Sequence, residues 1–155
     1  MTISSVSTAS GAAIPRPELR LAGKLCVTLL VVLSLGALAG GVALVLQPDG
    51  SVMHFSVTLL AGSPFSDYTV PGLILGGLFG IGSFIVAGMG LAHHRLAPFL
   101  AFAIGCAQMI WIVTELAVIK ELSFLHPLFF GVGALIAVTA VPWGLPTFQA
   151  WRRAR

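Results

Sequence analysis

The chain predicts an all-α, polytopic membrane protein: four transmembrane helices in an antiparallel up-down bundle, both termini cytoplasmic. Three observations lead there. Four apolar runs, Leu25–Leu46, Val70–Ala92, Ala97–Ile119 and Phe124–Leu145, fill most of the 155 residues. Each is about 20 residues or longer, enough at ~1.5 Å per residue to cross a hydrocarbon layer of ~30 Å. The chain is 57% hydrophobic and only 8% charged, with mean hydropathy +1.03, whereas a soluble domain carries about 25% charged residues. Finally, seven of the eight Lys and Arg residues fall on one side of such a bundle.

Residues 1–20 are rich in Ser, Thr and Ala without apolar periodicity, and are expected to form a disordered cytoplasmic tail. The four-helix domain then covers 21–148, and 149–155 is a basic cytoplasmic tail. Helix 1 has a rival reading as a signal peptide, because Ala37-Leu38-Ala39 has a small-x-small form. Its apolar run continues to Leu46, beyond the ~7–15 residues of a signal sequence.

Residues 47–69 form the outer loop and contain no Lys or Arg. Gln47-Pro48-Asp49-Gly50-Ser51 reads as a turn, and the apolar stretch Val52–Leu60 suits a position on the bilayer or over the bundle. Phe65 and Tyr68 suit the membrane interface. The loop reads either as a shield for the helix ends or as a cover over a site opening outward.

Helix 2 is marked by Ser66, Asp67 and Thr69 as capping residues and by Pro71 in its first turn. Pro98 and Pro127 mark the starts of helices 3 and 4 in the same way, and Ser123 is a cap for helix 4. Pro142, Gly144 and Pro146 are expected to loosen the end of helix 4. Trp143 and Trp151 are placed at the inner interface with wet indole N–H groups. The turns at His93-His94-Arg95 and Lys120-Glu121 are short, so helices 2, 3 and 4 are antiparallel neighbours.

Orientation follows from charge. Arg16, Arg20, Lys24, Arg95, Arg152, Arg153 and Arg155 share one face, and Lys120 alone lies opposite. The positive-inside rule makes the first face cytoplasmic. This distribution, rather than any basic groove, accounts for the net charge of +3, and no nucleic-acid partner is expected.

Small residues predict the packing faces. Gly72, Gly76, Gly80, Ser83 and Ala87 recur at spacings that put them on one side of helix 2. Gly36 and Gly40 do the same on helix 1, with Gly133 on helix 4. Such faces allow close helix approach in lipid, either inside the bundle or between copies of the chain. A Leu at Gly76 or Gly80 is expected to push helix 2 off its neighbour.

A resemblance enters here. Pro48-Asp49-Gly50-Ser51, Leu59-Leu60, Gly62-Ser63-Pro64-Phe65, Asp67-Tyr68 and Pro71-Gly72-Leu73-Ile74-Leu75 resemble a pattern in small, uncharacterised four-helix membrane proteins of bacteria. The resemblance covers about a fifth of the chain. It implies a bacterial inner-membrane protein and brings no activity or catalytic residues with it.

Chemistry concentrates in helix 3. Glu115 is the one acid well inside an apolar run, and Gln108 lies seven positions earlier on the same face, with Trp111 between them. An ionisable residue at such a depth is a functional-site hypothesis. With His126 at the start of helix 4, these residues are the candidate ligand pocket; the alternative is that Gln108 and Glu115 hydrogen-bond neighbouring helices. His93 and His94 belong with Arg95 in the basic inner turn, and His54 is on an unplaced loop, so no metal site is expected. Cys26 and Cys106 lie ~12 Å apart in depth and are not expected to pair. No nucleophile motif, phosphate loop or cofactor fingerprint is present, and no cofactor is expected. Cys-x-x-Cys is missing, unlike four-helix thiol-oxidising enzymes, and helix 1 has no acid, unlike small multidrug exporters.

Three functions remain open. The first is an accessory or structural membrane protein, packing with itself or a larger complex. The second is a transporter or binder of an apolar or lipid-like ligand near Glu115. The third is a lipid-modifying enzyme using Glu115 or His126. A pocket at Glu115 separates the second from the first.

Overall fold

A computed structural model describes residues 21–119 and 123–153. The expectations for residues 1–20, the Lys120-Glu121 turn, Arg155 and the side chains of Trp151 and Arg153 lie outside what is described. The described residues form four long helices: α1 (Leu21–Leu46), α2 (Thr69–Leu91), α3 (Ala97–Ile119) and α4 (Leu125–Arg153). All four are long and apolar enough to cross a membrane.

Neighbouring positions show the antiparallel order. From α1 to α2, Leu44 meets Gly72, Gly41 meets Gly76, Leu38 meets Gly80 and Val27 meets Gly90. From α3 to α4, Pro98 meets Gly144 and Gly105 meets Gly133. Between α1 and α4, Gly36 meets Phe129 and the Cys26 thiol donates to the Ile136 carbonyl at 3.7 Å. Both cysteines are free thiols.

The approach is tightest at Gly41, which shares the buried face of α1 with Ser34 and Ala37 at spacings of three and four. A Cβ there would stand 2.5 Å from the Gly76 nitrogen. At Gly76 itself a Cβ would have ordinary room, 3.6 Å from the nearest atom of Gly41. The crowding expected at Gly76 therefore falls on its partner. The other packing residues sit between helices too: Gly40 against Leu75, Gly80 against Leu38, and Ser83 and Ala87 buried.

α2 is not a regular α-helix. Leu75–Gly82 winds as a π-helix between two α-helical ends. Gly76, Gly77, Gly80 and Gly82 put few side chains in the way of the wider turn. Ser34 on α1 donates to the Gly80 carbonyl at 2.9 Å, and Phe79 turns inward to meet Trp111 with ring centroids 6.0 Å apart.

Two expectations need correction at the far end of α4. The helix does not loosen at Pro142 and Pro146, nor end at 145, but continues to Arg153. Both prolines are on its exposed face, so their rings do not disturb the packed side, where Trp143, Gly144 and Thr147 are buried. Packing against neighbouring helices lets a membrane helix carry prolines in this way. The indole N–H of Trp143 is buried rather than wet. The residue is 3% exposed, beside Gly90 and part of the cluster with Leu30, Val86 and Ile136, and its Nε1 has no hydrogen-bond partner among the described residues. The missing side chain at Gly90 makes room for the indole.

The loop folds back onto one end of the bundle. It contains two 3₁₀ turns, Ser51–Met53 and Val57–Leu60. Gly50 takes φ 77°, a left-handed conformation natural to glycine. Asp49 accepts from the Ser51 N–H at 3.0 Å and Asp67 from the Thr69 N–H at 2.9 Å, and these bonds hold both carboxyls below the ordinary range. Tyr68 is buried within the protein. It is 3% exposed, donating its N–H to the Pro48 carbonyl and its hydroxyl to the Ser56 carbonyl, each at 3.0 Å. It packs with Leu44 and Leu60, with Phe55 and Phe65 around them. Tyr68→Phe should cost about 1 kcal/mol and speed amide exchange in residues 48–60, read by hydrogen-exchange mass spectrometry.

Candidate functional site

Below this loop lies an apolar cleft of about 110 Å³. Its back wall is α3, where helical spacing aligns Gln108, Trp111, Ile112 and Glu115. α1 contributes Gly36 and Gly40, whose missing side chains leave space, along with Leu33 and Leu44. α4 contributes His126 and Phe129, and Met53 and Phe55 come down from the loop. Gln108, Trp111, Glu115 and His126 thus meet on one cavity. His54 does not line it; it is exposed in the loop with φ 58°.

Gln108 is the deepest polar group. It is 1% exposed and its Oε1 has no hydrogen-bond partner among the described residues. Gly133 faces it from α4, where an added Cβ would stand 3.1 Å from the Gln108 stem. A buried amide oxygen left without a donor costs about 1–3 kcal/mol.

His126 is 8% exposed at the start of α4. The Ser123 N–H donates to its Nδ1 at 3.0 Å, the shorter of its two contacts with that residue. With Nδ1 as acceptor, a neutral ring carries its proton on Nε2. Ser123 also caps α4, its hydroxyl accepting from the Leu125 N–H at 3.4 Å. Glu115 is half-buried and interacts electrostatically with His126. Among the described residues, no group of three or more His, Cys, Asp or Glu side chains converges on a metal-sized space.

Glu115 and Trp111 also border a second cleft, of about 120 Å³, on the Tyr68 side. Burial first, and the Glu115 carboxylate second, push the Tyr68 hydroxyl above its ordinary pKa. Its neutral form therefore contributes fully below about pH 10 and is lost only as pH rises through the raised value. Tyr68 is the one tyrosine in the chain, so its ultraviolet titration is unambiguous. The midpoint should lie above the ordinary phenol value and fall toward it in Glu115→Gln. An unchanged midpoint would show that the Glu115 charge does not reach Tyr68.

Met53, Phe55, Ser123 and Phe129 have no pattern in the sequence that points to a cleft; only the folding of the loop and the α1–α4 contact bring them in. No protein-family model, curated protein or solved structure matches the chain.

Proposed function

We propose that the chain is a multi-pass protein of a bacterial inner membrane, with both termini cytoplasmic, that binds or carries a lipid-like amphiphile in the cleft beside Glu115. The observation that carries this reading is Gln108, almost fully buried on an otherwise apolar cleft with its Oε1 unpartnered. Apolar walls with a few convergent polar groups suit a ligand of mixed character. In lipid, polar groups are retained where they meet a partner or a wet cavity. This favours a binding role over a purely packed accessory bundle.

Native mass spectrometry of the full chain, released gently from membranes, tests the reading. The wild type should keep a bound amphiphile. Gly40→Leu should lose it, because its side chain would grow beside Leu75 into the cleft. A wild type without bound mass, or equal retention by both proteins, would oppose the proposal.

Topology has its own test. An epitope placed at Gly62, exposed and with nothing within 4 Å of an added Cβ, should be reached from outside the cell. A reporter after Arg155 should stay inside. The reverse pattern would overturn the orientation.

A second reading, self-association or membership of a larger membrane complex, is favoured by Gly77 and Gly88. They lie on the exposed side of α2 with open space beside them. Small residues on such a face allow another helix to come close. Cross-linking in membranes that captures no second chain would count against it.

A further inference from the structure

We infer that the amphiphile is cationic, with an N–H-bearing ammonium head rather than a neutral or anionic one. The inference rests on the ligand-binding reading above and extends it from shape to chemistry. Two acceptors mark the α3 wall of the cleft. Gln108 Oε1 is buried and unpartnered, so it lacks a donor. The Glu115 carboxyl sits half-buried on the same wall. The Ser123 N–H donates to His126 Nδ1 at 3.0 Å. Among the described residues, none lining the cleft is Lys or Arg. An anionic head would therefore meet no Lys or Arg among the described lining residues and would face the Glu115 carboxyl. A hydroxyl would supply a donor to Gln108 Oε1 but bring no charge to the Glu115 carboxyl. An ammonium supplies donors and offsets the charge, and charge-assisted hydrogen bonds are about twice as strong as neutral ones.

The space sets a further limit. A cavity of about 150 Å³ admits a benzene ring, and this cleft has about 110 Å³. It takes the head and first carbons of a ligand, with the remaining chain outside.

The test is a series of probes of one chain length added to the purified full-length protein: dodecylamine, dodecanol, dodecanoate and dodecyltrimethylammonium. Affinity is read by thermal shift and by tryptophan fluorescence. Dodecylamine should bind at least about tenfold tighter than dodecanol, and dodecanoate weakest. Dodecyltrimethylammonium, with the charge but no N–H, should fall between the amine and the alcohol. In Glu115→Gln the advantage of the amine should collapse while dodecanol still binds. Equal binding of all four probes would overturn the cationic inference and leave the ligand reading standing. Binding of none would overturn the ligand reading itself. An amine preference that survives Glu115→Gln would also overturn the inference, because the attraction would then lie elsewhere. If Glu115→Gln fails to fold, the ranking of the four probes on the wild type still decides.

Discussion

Gly41→Ala should lower the stability of the bundle by about 1–3 kcal/mol or more, whereas Gly76→Ala, directly across the same contact, should be neutral or stabilising. The methyl group is the same in both; its surroundings are not. At Gly41 the new carbon would meet only backbone, 2.5 Å from the Gly76 nitrogen, 2.6 Å from its Cα and 2.8 Å from the Gly72 carbonyl. Backbone cannot rotate aside, so α1 and α2 must separate along the π-helical stretch. At Gly76 the nearest atom is 3.6 Å away, ordinary van der Waals contact. There the general preference of a helix for Ala over Gly, up to about 1 kcal/mol, is free to act. Thermal unfolding in detergent measures both. Equal effects from the two substitutions would contradict this α1–α2 interface.

Gln108→Leu should act in the opposite direction on stability and against function. It removes a buried, unpartnered amide and leaves a side chain of similar size in an apolar cleft. The free protein should gain about 1–3 kcal/mol. Ligand binding should weaken by about tenfold, the cost expected for one lost hydrogen bond. Gains of this sort at a site that loses its role are the usual trade between stability and activity. A destabilised Gln108→Leu would show that the amide is satisfied within the bundle and structural.

The helices were legible because long apolar runs form one strong pattern, and Pro71 and Pro98 fall in the first turns of α2 and α3 as expected, whereas the cap of α2 is Tyr68 rather than one of the three residues named for it. The line of Gln108, Trp111 and Glu115 was legible too, since helical spacing puts them on one face regardless of what packs there. The course of α4 was not. Pro142 and Pro146 look like an ending until both are seen to face away from the packed side. Trp143 and Tyr68 carry the amphipathic signature of interface residues, and only the room beside Gly90 and the carbonyl of Ser56 show why each is buried. The π-helix at Leu75–Gly82 has no periodicity that separates it from a small-residue packing face.

The proposed function requires that an amphiphile occupy the cleft at Glu115. The most direct measurement places a photoreactive phenylalanine at Phe129, whose ring meets Gly36 on the cleft, and another at Phe84, 63% exposed on α2. After irradiation of intact membranes, the account predicts an amphiphile adduct at position 129 that disappears in the Gly40→Leu background, while general lipid adducts at position 84 persist. The same lipid adducts at both positions, unaffected by Gly40→Leu, would contradict it.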